Sequence, residues 1–174
     1  MTMGRVARLG LLVFLVAILQ VAAISGVEAL GATPDSLLVV LVAVALREGS
    51  IGGAVAGFAA GLIVDTVTLG TLGVSSLLFA VAAYWVGRYG ETTGRGRAHA
   101  LALAVAVTTA LVGLCAYALH YMLGEEVNAA NALTPIVPAI ALNLILAYPL
   151  SRVVSWSLGQ LEHEERGTEV EVLA

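Results

Sequence analysis

The sequence contains no lysine and a single cysteine, and each shortage excludes a class of function. Without lysine there is no phosphate-binding P-loop, no Schiff-base chemistry and no Ser/Lys acylation pair. With Cys115 alone, the chain can form neither an internal disulfide nor a thiolate metal cluster, and we interpret this residue as a buried, unreactive thiol. Charged residues are also scarce, at 11%, and they form no basic stripe of the kind that binds nucleic acid.

Hydrophobic residues make up 60% of the 174 residues, and the mean hydropathy is +0.99. Globular proteins carry about 25% charged residues, so this composition is that of a membrane protein with room for one domain. The first apolar stretch, 9–27, exceeds the roughly 7 to 15 residues of a signal-peptide core and lacks a clear cleavage site. It predicts a retained transmembrane helix, with a signal peptide as the alternative.

Polar residues divide the chain into six apolar segments, at 9–27, 34–46, 50–65, 72–87, 100–123 and 133–157. The second segment is too short for a bilayer core of about 30 Å, which takes roughly 20 helical residues. One alternative joins the second and third segments into a single interrupted span, giving five crossings. If the chain instead crosses six times from a cytoplasmic N-terminus, every arginine falls on the cytoplasmic side, as the positive-inside rule expects: Arg5, Arg8, Arg47, Arg88, Arg95, Arg97, Arg152 and Arg166.

We therefore predict an all-α, multi-pass protein of the cell membrane, a bundle of six transmembrane helices with both termini in the cytoplasm. The short second helix must tilt little, or lie where neighbouring helices shield its ends. The helices occupy a single domain, 1–160. The acidic segment 161–174 is predicted to be a disordered cytoplasmic tail.

Glycines recur every fourth residue in the stretch "GSIGGAVAGFAAGLIVD". Residues four apart on an α-helix lie on nearly the same face, and helices in lipid associate through such small residues. Because glycine costs roughly 1 kcal/mol of helix propensity relative to alanine, the pattern predicts a face that another helix fills, whether from this chain or from a partner. The predicted packing glycines, including two in the following loop, are Gly49, Gly53, Gly57, Gly61, Gly70 and Gly73.

Asp65 follows the glycines on the same face, at the outer end of the third segment. It has three candidate roles: a cap for the backbone N–H groups that follow at Thr66 and Val67, a ligand or ion contact, and a charge partner for another protein. We favour the cap, which is compatible with the other roles, and predict that Asp65 fixes the outer end of the glycine contact.

Several other polar or aromatic residues are candidates for contacts. Gln20 is predicted to form an interhelical hydrogen bond, and Asn143 to bind a carbonyl freed by Pro138 or Pro149. Tyr84, with its aromatic neighbours, is expected at the membrane interface. The remaining candidates for contact with lipid or cytoplasmic partners are Arg88, Arg95 and Arg97.

The stretch "GGAVAGFAAGLIVDTVTLGTLGVSSLLFAVAAYWVGR", residues 52–88, resembles the signature of the rod shape-determining protein family MreD. The resemblance lies in a GxxxGFxxGLxxD helix, a Leu-Gly loop, a Ser/Leu-rich helix and an aromatic-Gly-Arg exit. The later "NLILAYPLSRVVSW" is similar to the family's final helix. The alanine-rich helices and the lack of lysine depart from the family pattern.

The resemblance implies a non-enzymatic scaffold of the elongation machinery (the elongasome), which builds the peptidoglycan cell wall and determines rod shape. Its implied partners are MreC and, through MreC, MreB and the membrane peptidoglycan synthases, with no cofactor. A homo-oligomer is also compatible with the sequence. The family is related in fold to the substrate-binding subunits of ECF vitamin transporters, which gives the alternative function.

Two features of the sequence weigh against other functions. The transporter subunits resemble one another in an AxxxA pattern on their first helix, and the nearest approach to it here is Ala22 with Gly26. An intramembrane enzyme needs an activated nucleophile beside a base, but Ser75 and Ser76 have no histidine near them in the sequence. We therefore predict that the protein is not an enzyme.

Overall fold

The computed structural model describes residues 3–24, 31–93, 98–124 and 133–172, and within these ranges the chain is helical without a β-strand. Helix α1 continues into a short π-helical turn at Gln20–Ile24. The α-helices are α1 (Met3–Leu19), α2 (Ser36–Thr68), α3 (Val74–Thr93), α4 (Ala98–Met122) and α5 (Ile136–Val172).

Helix α2 is divided at Gly49 into a first arm, 36–48, and a second arm, 50–68. Gly49 has φ 83° and ψ −173°, a backbone conformation that is essentially restricted to glycine. The arms fold back on each other: Ala60 of the second arm lies in one apolar cluster with Leu37 and Leu41 of the first arm. With the two arms counted separately, the described residues form six α-helical segments.

The first arm is the centre of the bundle. Ten consecutive residues, 36–45, are buried, and the arm contacts α1 through Leu9, α3 through Ala83 and α5 through Val154. A helix that is apolar on all sides needs such an environment. The first arm is about 20 Å long. Its neighbours cover it from Ser36 to Ala45, whereas Arg47 near its other end is exposed, so the shielding of both ends within a membrane remains a prediction.

Among the described residues, three helical stretches are long and apolar enough to cross a membrane, the first of them taken through both arms of α2: Ser36–Thr68, His99–Met122 and Ile136–Ser157. A shorter apolar helix covers Ala7–Ala22. Large apolar side chains also cover the outside of the bundle, for example Ile51 at 77% exposure and Trp85 at 66%. These features support a helical membrane protein, while the number of crossings remains a prediction.

One feature differs from the sequence-based expectation. Cys115 is exposed on α4 and not buried, because lipid-facing and core positions of a membrane helix are equally apolar and the sequence does not distinguish them. Helix α5 extends to Val172, and the disorder of the acidic segment 161–174 remains a prediction.

Candidate functional site

The glycine face of the second arm packs directly on the backbone of α3. A Cβ atom placed on Gly57 would lie 2.4 Å from the carbonyl oxygen of Phe79, and one on Gly61 would lie 2.3 Å from the amide nitrogen of Ser76. Both distances are shorter than any that real Cβ atoms show. The two helices run antiparallel, and they can approach this closely only because the glycines have no side chain. Within this chain, the helix that packs against the glycine face of the second arm is therefore α3.

Gly53 lies where three stretches of helix converge. A Cβ atom at this position would lie 2.7 Å from the Cβ of Ala45 on the first arm and 2.8 Å from the carbonyl oxygen of Ala83 on α3. Gly53 thus allows both arms of α2 and α3 to meet at one point. The three stretches form a compact unit that is held by main-chain contact.

Two glycines of α3 complete this contact, and our sequence reasoning missed both. A Cβ atom on Gly87 would lie 2.4 Å from the carbonyl carbon of Gly49, and one on Gly90 would lie 2.9 Å from the carbonyl oxygen of Leu46. Their spacing of three residues on a helix is the signal that could have identified them, because such residues share a face.

Three of the predicted packing glycines do not lie on the helix face that packs against α3. Gly49 forms the turn between the arms and is not part of the helical stripe, because its positive φ interrupts the helix. Gly70 and Gly73 lie in the loop between α2 and α3 and do not pack helices together within the described chain. Gly73 has φ +97°, and a Cβ atom there would meet nothing within 4 Å.

Asp65 caps the beginning of α3. One carboxylate oxygen accepts hydrogen bonds from the backbone amides of Gly73 at 2.8 Å and Ser76 at 3.4 Å, and the other accepts from the amide of Ser75 at 3.2 Å. The first N–H groups of a helix have no partner within it, and the helix dipole favours a negative charge there. The predicted cap of Thr66 and Val67 is wrong, since α2 runs through both residues to Thr68.

Glu91 caps the second arm of α2, at the opposite end of the pair that this arm forms with α3. Its carboxylate accepts from the backbone amide of Ser50 at 2.8 Å and from the Ser50 hydroxyl at 3.0 Å, at the start of the second arm. These bonds hold the pKa of Glu91 below its ordinary value of 4.5. Asp65 and Glu91 each lie in the last turn of their own helix, so each helix of the pair caps the other.

A second group of polar residues joins α1 to the start of α2. The Gln20 side chain donates to the carbonyl of Pro34 at 2.9 Å and accepts from the amide of Ser36 at 2.9 Å. The Asp35 carboxylate accepts from the amide of Leu38 at 2.9 Å and so caps the first arm. The predicted hydrogen bond of Gln20 to a neighbouring helix is confirmed.

Asn143 extends this group to α4 and α5. Its side chain is fully buried, accepts from the Asp35 amide at 2.8 Å and donates to the Thr109 hydroxyl at 3.1 Å. The predicted bond to a carbonyl freed by Pro138 or Pro149 is wrong, because the side chain points into the core and joins other helices. Together, Gln20 and Asn143 fix the central first arm to three neighbouring helices.

Two of the remaining predicted contact residues, Tyr84 and Arg88, lie on α3. Tyr84 is 40% exposed, and its ring meets that of Trp85 edge-on at 5.7 Å between centroids. Arg88 is exposed and forms an ion pair with Glu91 at 3.2 Å. Arg95 and Arg97 lie outside the described residues. Contact of these residues with lipid or a partner remains a prediction.

The described residues contain no group of histidine, cysteine or acidic side chains that could hold a metal ion. The hydroxyl of Ser76 hydrogen bonds to Asp65, within the cap of α3. The polar side chains between the second arm and α3, and those around Gln20 and Asn143, therefore join helices to one another.

A family model described as rod shape-determining protein MreD matches residues 4–156 of the chain. The match includes both arms of α2, the whole of α3 and the buried asparagine of α5. Neither the comparison with curated proteins nor the comparison with solved structures gives a match.

Proposed function

Since the chain belongs to the MreD family of rod shape-determining proteins, we propose that it is a non-enzymatic membrane scaffold of the cell-elongation complex. Family membership supports the role in rod shape. The observation that carries the scaffold role is that polar side chains inside the bundle hydrogen bond to its own helices. Asp65, Gln20 and Asn143 each hydrogen bond to a neighbouring helix or to the backbone that begins one.

A rigid bundle with apolar outer faces is suited to presenting surfaces to other membrane proteins. In lipid, association depends on shape and close packing, because lipid tails are as apolar as the side chains they would leave. A scaffold gains from a fixed outer shape, and the backbone contacts at Gly57 and Gly61 supply rigidity. We propose that the partner is MreC, and that MreB and the membrane peptidoglycan synthases are reached through it.

Co-purification tests this function. The affinity-tagged chain, extracted in mild detergent from cells that also produce MreC, is expected to retain MreC without any added ligand. A polytopic membrane protein of similar hydropathy, carrying the same tag, is the control for non-specific recovery. Failure to retain MreC, together with a tightly bound vitamin found by mass spectrometry, would contradict the scaffold and favour the transport alternative.

We propose six membrane crossings with both termini in the cytoplasm. The contacts support this arrangement by bringing the arginine-bearing ends together: Arg47 hydrogen bonds to Ser155 on α5, and Gly90 of α3 packs on Leu46. A single basic end of the bundle is what the positive-inside rule requires. Alkaline phosphatase fused within 94–97 is expected to be inactive, and an active fusion there would overturn the topology.

A further inference from the structure

Helices α3 and α4 are separated by an open groove on the outside of the bundle. Its volume is about 210 Å³. Eight of the nine lining side chains are aliphatic or aromatic, and the ninth is that of Thr108.

Thr108 is the feature of the groove that points to an occupant. The residue is only 4% exposed, yet its hydroxyl has no hydrogen-bond partner among the described residues. Every fully enclosed side-chain oxygen or nitrogen in the described part of the chain does have a partner, so the Thr108 oxygen must open into the groove. The neighbouring Thr109, in contrast, is bonded to Asn143.

The depth of Thr108 restricts the chemistry of the occupant. It is the eleventh residue of the 25-residue helix α4, about 15 Å from the start of the helix, and therefore close to the middle of the apolar layer. A lipid acyl chain has no hydrogen-bonding group at that depth. A transmembrane helix has them, as side chains and as carbonyls, and an unbonded polar group in hydrocarbon is costly.

The shape of the groove also fits a helix. Ala82 and Ala104 form small positions on facing helices, and small residues let a third helix approach closely. Trp85 and Tyr89 border one end of the groove and supply large ring surfaces for packing. The groove thus combines small residues, aromatic rings and one free hydroxyl.

We propose that this groove receives a single transmembrane helix of a partner protein, and that a polar group of that helix hydrogen bonds to Thr108. The proposal rests on the scaffold function proposed above and gives that function a docking surface. The occupant presents a small or polar residue at mid-depth, with apolar side chains one turn above and below it.

Site-specific photocross-linking locates the docked helix. The cross-linker p-benzoylphenylalanine is placed at Val107 in the groove, or at Val55, which is exposed on the second arm outside the groove, in cells that also produce MreC. We expect an adduct with the transmembrane helix of MreC from Val107 and none from Val55. Adducts only with lipid, or with a second copy of the chain, would overturn the proposal.

Matched substitutions test the two features of the groove. Ala82→Leu fills the groove and is expected to lower MreC recovery at least tenfold, whereas Ala102→Leu, at an exposed position of α4 that does not line the groove, leaves it unchanged. Thr108→Val removes the hydroxyl and is expected to lower recovery about threefold, the effect of one average interhelical hydrogen bond. Thr108→Ser restores the hydroxyl and most of the recovery.

The outcomes separate the docking surface from the function on which it rests. If MreC co-purifies with the unmodified chain but neither Ala82→Leu nor Thr108→Val changes its recovery, the groove is not the docking surface and the scaffold function stands. If the unmodified chain fails to retain MreC, the proposed function fails, and the docking surface fails with it.

Discussion

Replacing Gly57 with alanine adds one methyl group at the tightest part of the α2–α3 contact. The new Cβ would lie 2.4 Å from the carbonyl oxygen of Phe79 and 3.0 Å from the amide nitrogen of Ala80. Both atoms belong to the backbone of a helix, so no side-chain rotation relieves the overlap. Ordinary contact begins near 3.4 Å, and the helices must therefore separate by about 1 Å.

Two energies of opposite sign follow from this substitution. Alanine improves the local helix propensity by roughly 1 kcal/mol. Overpacking costs about 1–3 kcal/mol in well-packed cores, and a 1 Å gap removes up to half of the dispersion energy of each atom pair along the contact. The overlap at Gly57 involves main-chain atoms, so we take the upper part of this range and expect a net loss of about 1–2 kcal/mol.

Thermal unfolding in detergent measures the result. Gly57→Ala is expected to lower Tm by roughly 2–8 °C, since 1 kcal/mol corresponds to about 2–4 °C for a chain of this size. Gly10→Ala is the matched control, because Gly10 is helical and a Cβ atom there would meet nothing within 4 Å. That control should be unchanged or more stable. If both variants gain stability equally, the glycine face is not a packing surface.

Four further substitutions test the two carboxylate caps and the C-terminal end of α2. Asp65→Ala should lower the free energy of unfolding by about 2 kcal/mol in chemical denaturation, because three backbone amides lose their acceptor, and Asp65→Asn should lose less. Glu91→Gln should destabilise the protein at neutral pH. Because folding lowers the pKa of Glu91, its contribution is complete above pH 4.5 and disappears as the pH falls through the lowered pKa, so the two stability curves should converge in acid. Leu69 ends α2 with φ 53°, a strained conformation for leucine, so Leu69→Gly should raise stability by about 1 kcal/mol; no gain in thermal unfolding would count against that strain.

Local patterns predict much of this fold. The spacing of Gly53, Gly57 and Gly61 identifies one helix face because the α-helix repeats every 3.6 residues. The division between the second and third segments coincides with the turn at Gly49. These features depend on neighbours within a few residues, which a sequence displays directly.

The partners of these residues could not be predicted in the same way. Asp65 caps a helix that begins nine residues further on, and Glu91 binds Ser50 across 41 residues. Both contacts exist only because α3 folds back antiparallel to the second arm. The partner of Asn143 is also distant in sequence, since its side chain binds the Asp35 amide across 108 residues. The nearby Pro138 and Pro149 instead suggest a local partner.

The groove beside Thr108 is also invisible in the sequence. Apolar residues line both the core and the lipid-facing surface of a membrane helix, so hydropathy does not separate a docking surface from ordinary lipid contact. The exposure of Cys115 is wrongly predicted for the same reason. Only the packing of α3 beside α4 shows which apolar positions remain open.

The most direct test of the central claim is cell shape after removal of the gene from the cells that encode it. The scaffold account predicts that cells without the protein lose rod shape, that the wild-type chain restores it, and that Ala82→Leu fails to restore it although the protein reaches the membrane at the normal level. Normal rods without the protein, measured as an unchanged ratio of cell length to width, would contradict the account.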